Sequence, residues 1–428
     1  MIRHSLEWVV DSHARATRQQ VAQSMRGANR WGSLVGGFLL ILCTGSIYTT
    51  QVFSGSLETE FGWAARQVWL AFPIGVFVFA LTVIPAGRLQ DKFGPSLTAY
   101  LGAVLLSLGF FTTSFANSLA WHYFTFGVLI GLGCGFAYIT PIPVIAKWFP
   151  DKRGLALGIL VAAFPASALI GTAAGGLIAN FGWRPALQIL SGLLLVVSLI
   201  GAVLLKNPSE HWTRGRAPDE SGQEKRTPTL SEGSSFWQMT GSGRFYKMWL
   251  SYCLAATGAS MLFGGVASFA GAMEGFSPQH LRFVSNFSPL ANVGGRIVSG
   301  WLSDVWGRVP VLAITISISV IVLALVPNTT HLGWFTLLLM GEFWCYGALL
   351  ALFPAWTADA FGTKNLGANY GVVFTAWTVA PILGPTLSGR IARMTGSHST
   401  AFYIAAALSL IALGLVLWAG RSKSRPSA

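Results

Sequence analysis

The sequence predicts an all-α polytopic membrane protein, with about twelve transmembrane helices in two pseudo-symmetric six-helix bundles. Three observations lead there. The chain is 53% hydrophobic and only 10% charged, well below the roughly 25% charge of a soluble domain. Apolar runs long enough to cross a bilayer recur along its whole length. The chain also matches itself at an offset of 213 residues.

A hydrocarbon core of about 30 Å takes roughly 20 apolar residues in a helix. Runs of that size lie near 32–55, 66–86, 95–115, 121–146, 154–178 and 185–205, and again near 246–272, 279–302, 310–327, 332–357, 367–389 and 399–419. Each run is bounded by charges, Pro or Gly. The division expected is a tail over 1–31, a six-helix bundle over 32–206, a linker over 207–245, a second bundle over 246–419 and a tail over 420–428. The linker is rich in Pro, Ser, Glu, Lys and Arg, as a solvated connection is. The first 30 residues hold five arginines and no uninterrupted apolar stretch, so they read as a retained tail, not a secretory signal.

Charge orients the chain. With the N-terminus inside, 22 of the 28 Lys and Arg residues fall on inner segments, five (Arg66, Arg184, Arg282, Arg390 and Arg393) on outer loops, and Arg296 alone lies deep within a span. By the positive-inside rule both termini are cytosolic and the protein is a multi-pass protein of the cell (inner) membrane. The net charge of +13 is then a mark of the cytosolic face, and nucleic acid is not an expected partner. Cys43, Cys134, Cys253 and Cys345 sit in separate apolar runs without metal-ligand spacing and read as packing residues. No nucleophile and base pairing, metal cluster or phosphate loop is legible, so neither an enzyme nor a cofactor is expected.

At the 213-residue shift, Gly87-Arg88-Leu89-Gln90-Asp91-Lys92-Phe93-Gly94 after the second span falls on Gly300-Trp301-Leu302-Ser303-Asp304-Val305-Trp306-Gly307 after the eighth. Pro141 falls on Pro354, Gly154 on Gly367 and Gly158 on Gly371. The halves are therefore parallel repeats, and this duplicated loop resembles the signature of the major facilitator superfamily, whose substrates bind near the midplane between halves. The resemblance implies a cytosolic latch of Gly87, Arg88, Asp91, Lys92, Arg153, Asp304 and Arg308, with the aspartates pairing to arginines and helix N-termini. A solvated charge cluster at a helix end is the plainer alternative.

The stretch Lys147-Trp148-Phe149-Pro150-Asp151-Lys152-Arg153-Gly154-Leu155-Ala156 resembles the oxalate:formate antiporter and monocarboxylate transporter family. So do Gly45-Ser46-Ile47-Tyr48-Thr49, Leu352-Phe353-Pro354 and Asn369-Tyr370-Gly371. In that family an arginine eight residues before the span-eight loop aspartate meets the substrate carboxylate, and here it is Arg296. Physics agrees: a guanidinium inside a span persists only where it is paired or faces a wet cavity, and its fork matches a carboxylate. An ion pair with an acid on another helix is the competing reading. The family's oxalate exchangers carry a lysine where this chain has Trp377, so a monoanion is favoured over a dianion. Other family pocket positions fall on Tyr48, Tyr138, Phe164, Tyr346 and Phe374, and the position of the proton-coupling acid falls on Asn292, which, one turn from Arg296 on the same face, is expected to hydrogen-bond the substrate instead. Any one of these aromatics alone is more often core or lipid-facing packing.

Glu342 has no counterpart in that pattern. Placed near mid-depth and four residues before Tyr346, it is expected to border the same cavity, as a proton-coupling candidate, an Arg296 partner or a packing acid. The reading of the whole is a monomeric secondary transporter of small monocarboxylates such as lactate, pyruvate or formate, working by proton symport or anion exchange. Its alternatives are an oxalate/formate-type exchanger, a proton-coupled drug exporter and a non-transporting membrane sensor. The exporter's span-five Gly-Pro pair is missing from Gly171-Thr172-Ala173-Ala174-Gly175-Gly176, and short tails argue against a sensor.

Overall fold

The computed structural model describes residues 29–209, 233–271 and 277–421. Most of the expected N-terminal tail (1–28), the middle of the linker (210–232) and the end of the C-terminal tail (422–428) lie outside the described residues.

Among the described residues twelve long helices follow one another. The first six are α1 (Arg30–Phe61), α2 (Ala65–Phe93), α3 (Pro95–Thr113), α4 (Leu119–Trp148), α5 (Arg153–Phe181) and α6 (Trp183–Leu204). The second six are α7 (Gly243–Ala270), α8 (Pro278–Trp306), α9 (Arg308–Leu325), α10 (Leu332–Phe361), α11 (Leu366–Thr395) and α12 (His398–Arg421). Eleven of these are both long and apolar enough to cross a membrane. The exception is α8, whose 29 residues are ample in length but include Gln279, His280, Asn286, Asn292, Arg296 and Asp304. The least lipid-like helix is the one that carries the buried cation.

The halves meet along two equivalent seams, α2 against α11 and α5 against α8. Glycine makes each seam tight. A side chain at Gly87 would strike the backbone of Gly367, and one at Gly300 the backbone of Gly154. The helices can approach backbone to backbone only because these four positions carry no Cβ.

The breaks in α1 and α5 have local chemical reasons. In α1 the run Gly45–Thr49 tightens into a 3-10 turn. There the hydroxyls of Thr44, Ser46, Thr49 and Thr50 each donate to the carbonyl three residues back, at 2.6, 2.6, 2.7 and 3.0 Å. Such back-bonding competes with the helical ladder and bends it. In α5 the break follows Pro165, and the Ser167 hydroxyl donates to the Phe164 carbonyl at 2.6 Å. The two breaks face each other, since Gly45 packs on Ser167 and the Phe164 backbone.

Among the described residues the end of the linker is fastened to the second half. Ser234 N donates to Phe361 O at 2.8 Å, and Ser234 O accepts from the Asn369 amide at 2.9 Å. A short helix, Phe236–Thr240, then leads into α7.

Candidate functional site

Arg296 stands on α8, eight residues inside the seam from Asp304, and is 2% exposed. Among the described residues it is the one fully buried Lys or Arg. Its Nε donates to Asn292 Oδ1, one turn earlier, at 2.9 Å. Its Nη1 crosses the seam and donates to the backbone carbonyl of Val161 on α5 at 2.5 Å. No carboxylate pairs with it among the described residues. The ion pair that the sequence left open as an alternative is therefore not formed with any of them.

Around this cation the expected aromatics come together in one wall. Tyr48 from the α1 break meets Phe72 and Phe164, with ring centres 5.5 Å apart in both pairs. Tyr138 of α4 meets Phe164 at 5.7 Å and, across the halves, Phe374 of α11 at 4.8 Å. Phe374 stacks on Trp377 at 5.0 Å, and Trp377 returns to Phe164 at 6.4 Å. Tyr346 of α10 lies edge-on to Phe263 at 5.3 Å. The phenols of Tyr48, Tyr138 and Tyr346 are near enough to the guanidinium to interact with it electrostatically. Every predicted pocket residue thus takes part in one constellation.

Two members of it are not among the expected pocket residues, although Tyr370 lies in the Asn369-Tyr370-Gly371 run. Tyr252 of α7 and Tyr370 of α11 are both fully buried, and both interact electrostatically with Arg296. Tyr252 stacks flat on Phe353 at 4.0 Å. The hydroxyls of Tyr138, Tyr252 and Tyr370 and the indole nitrogen of Trp377 are buried without a hydrogen-bond partner. Tyr370 does lie beside the hydroxyls of Tyr138 and Tyr252, and Trp377 beside that of Tyr346, so these groups have at most one another as weak partners around the buried cation. Tyr48, by contrast, is 39% exposed despite its ring neighbours.

Glu342 corrects an expectation. It is completely buried, but its carboxylate accepts from the Ser319 hydroxyl of α9 at 2.6 Å, and its second oxygen has no partner. It does not pair with Arg296 and faces the α9–α10 contact instead of the aromatic wall. Residues four apart on a helix differ by about 40° in direction, and here that turn carries Glu342 toward α9 while Tyr346 points to α7.

At the loop end, each repeat aspartate caps the first turn of a helix in the opposite half. Asp91 accepts from Gly367 N at 3.1 Å and Ala368 N at 2.8 Å, while Asp304 accepts from Gly154 N and Leu155 N, both at 2.8 Å. Anionic side chains at helix N-termini satisfy orphan donors and complement the helix dipole. The two caps differ in what surrounds them. Asp304 also pairs with Arg308 at 2.7 Å, and Asp359 bridges Arg308 (2.8 Å) to Arg153. Beside Asp91 the arginine expected from sequence turns away: Arg88 lies 4.0 Å over the Phe236 ring and Lys92 lies 5.0 Å from the Phe93 ring. Among the described residues no group of three or more His, Cys, Asp or Glu side chains is placed to hold a metal ion.

The sequence matches the Major Facilitator Superfamily over residues 34–341 and again over 248–428. It is 28% identical over 408 residues to the oxalate:formate antiporter of Oxalobacter formigenes, with 93% of each chain covered. It is 27% identical over 439 residues to monocarboxylate transporter 12 of Xenopus laevis, with 93% of this chain and 91% of that one covered. The fold resembles a crystal structure of FucP, a Major Facilitator Superfamily transporter in the outward conformation. That likeness has a TM-score of 0.68 and 17% identity, covering 91% of this chain and 99% of that one.

Proposed function

The chain belongs to the Major Facilitator Superfamily, and we propose that within it the protein carries small monocarboxylate anions such as lactate, pyruvate or formate by alternating access. The observation that carries this reading is the buried Arg296 guanidinium, free of any described carboxylate and ringed by phenols. A carboxylate supplies the charge and the oxygen acceptors that such a site lacks. Asn292 holds Nε in place, which leaves the outer edge of the guanidinium for the ligand. The rings of Tyr48, Tyr138, Phe164, Phe374 and Trp377 then exclude water around the short carbon chain.

A single buried cation favours a monoanion. Oxalate carries a second carboxylate, and burying it unpaired is costly. The relative from Oxalobacter formigenes is named for oxalate and formate, so dicarboxylate exchange is the reading to test against. The two aspartate caps, both formed here, fit a cytosolic latch. Movement of the halves between access states requires both caps to break. Proton symport and anion exchange both fit this architecture. The place of Glu342 against Ser319 supports a packing role for it over a proton carrier.

Uptake of labelled lactate, pyruvate and formate into proteoliposomes, with and without a pH gradient or an internal counter-anion, tests the proposal. Saturable uptake of at least one of them is expected, with oxalate competing about tenfold or more less well, as one unpaired charge implies. Failure to move any monocarboxylate would sink the assignment, and equal competition by oxalate would remove the monoanion preference.

A further inference from the structure

The acceptor that holds Arg296 across the seam is created by a proline. In an α-helix the carbonyl of residue 161 receives the N–H of residue 165. Residue 165 is Pro165, inside α5, and has no N–H to give. The Val161 carbonyl is thereby left open on its helical side, and it is this oxygen that accepts from Arg296 Nη1 at 2.5 Å. Gly158, one turn before, completes the arrangement, because a side chain there would collide with the backbone carbonyl of Arg296 and push α8 away. At the equivalent seam neither part is present: the repeat partner of Pro165 is Thr378, which has an N–H, and that of Arg296 is Val83.

We propose that Pro165 is a positioning residue for substrate binding: by withholding its N–H it turns the Val161 carbonyl into a fixed anchor for one nitrogen of Arg296. With Nε on Asn292 and Nη1 on Val161, two edges of the planar guanidinium are set, and the plane is aimed before substrate arrives. The anchor sits in the first half and the cation in the second, so the aim is complete only when the α5–α8 seam is closed. The inference rests on the proposed role of Arg296 as the carboxylate site.

The test replaces the proline in the full-length protein in two ways. Pro165→Ala supplies the missing N–H, which competes for Val161. The α-hydroxy analogue of alanine at position 165, introduced as a backbone ester, removes the ring but again offers no N–H. Pro165→Ala is expected to raise the KM for lactate about tenfold with the maximal rate within about twofold, the loss typical of one hydrogen bond to a charged group. The ester variant is expected to stay within about twofold of wild type. A second readout does not depend on the substrate: modification of Arg296 by phenylglyoxal, followed by peptide mass spectrometry against the exposed Arg390, should quicken in the alanine variant and not in the ester.

An alanine variant that matches wild type in both readouts overturns the proposal. So does a folded ester variant as defective as alanine, because the ring and not the missing N–H would then be what matters. If the alanine variant does not fold, the ester variant decides alone: a KM and a modification rate within about twofold of wild type keep the proposal, and a folded ester with a KM raised about tenfold overturns it. If wild type carries no monocarboxylate, the substrate reading fails, and the modification rates still settle whether Pro165 sets the arginine.

Discussion

The α2–α11 seam and the α5–α8 seam hold equivalent places in the repeat, and their backbones correspond step by step. Gly87 meets Gly367 where Gly300 meets Gly154, and Gly371 lies against the carbonyl of Val83 where Gly158 lies against that of Arg296. Each seam ends in an aspartate that caps two N–H groups of the other half. Their side chains part company. The first seam has Val83 and Phe79 where the second has Arg296 and Asn292, and Asp91 lacks the Arg308–Asp359–Arg153 bridge that surrounds Asp304. Duplication fixed the hinge geometry, which needs symmetry to rock. Under the proposed function, charge recognition belongs to one seam only, because the position of the buried guanidinium is apolar in the other.

The largest expected effect is at the cation itself. Arg296→Lys, like Arg296→Ala, should lower uptake by about a hundredfold or more with insertion and thermal stability retained. An ammonium cannot hold Asn292, Val161 and a carboxylate in one plane. Substantial uptake by the lysine variant would mean that charge alone suffices, and the second seam would lose its special standing.

The caps offer a direct test of unequal seams. Removing either aspartate forfeits two charge-assisted bonds to backbone N–H groups, but Asp304 also holds Arg308. Spin labels near Lys92 and Lys364 report the first seam, and labels near Lys152 and Trp306 the second. Asp304→Ala should raise the population open at this end about tenfold, and Asp91→Ala about threefold, in line with charged hydrogen bonds of modest net strength. Equal shifts would show that the ion cluster adds nothing to the cap.

Asp359→Asn should act more weakly still. Its side chain is 34% exposed, and exposed ion pairs are worth little and are screened by salt. A fall in uptake of about twofold at low salt, vanishing at high salt, is the expected result. A larger, salt-independent loss would make Asp359 part of the latch in its own right.

Much of this architecture is legible in the amino-acid sequence. Glycine, aspartate and spacing recur at 213 residues because both seams need the same close approach and the same caps, so repetition in the sequence reports repetition in the fold. Arg296 is legible because a guanidinium in a span demands a reason. Tyr252 is not: its repeat partner is Leu39, so no symmetry marks it, and a phenol in an apolar run is unremarkable until its neighbours are known; Tyr370 is visible in the Asn369-Tyr370-Gly371 run, but nothing there places it beside Arg296. Pro165 is visible as a helix breaker, but the donor that uses its freed carbonyl lies 135 residues from Val161 in the chain. Glu342 is misplaced by its spacing for a related reason. Helical spacing says which residues share a face, and it does not say which neighbouring helix that face meets.

Glu342 sets the smallest effect, and it tests whether chemistry is confined to the α5–α8 seam. Its carboxyl lies in the α9–α10 contact, held by one hydroxyl and remote from any described cation partner. Glutamine has the same shape and offers Ser319 the same carbonyl acceptor, but it cannot take up or release a proton. If the acid is packing, Glu342→Gln should keep uptake within about twofold of wild type, with and without a pH gradient, since the Ser319 bond is preserved. Glu342→Ala should instead lose stability, because it leaves both a cavity and an unpaired Ser319 hydroxyl in the α9–α10 contact. The opposite pattern is equally readable: a glutamine variant that exchanges anions normally but no longer concentrates them under a pH gradient would place proton coupling on α10. The division between a chemical seam and an apolar seam would then have to be extended to a third contact, inside the second half itself.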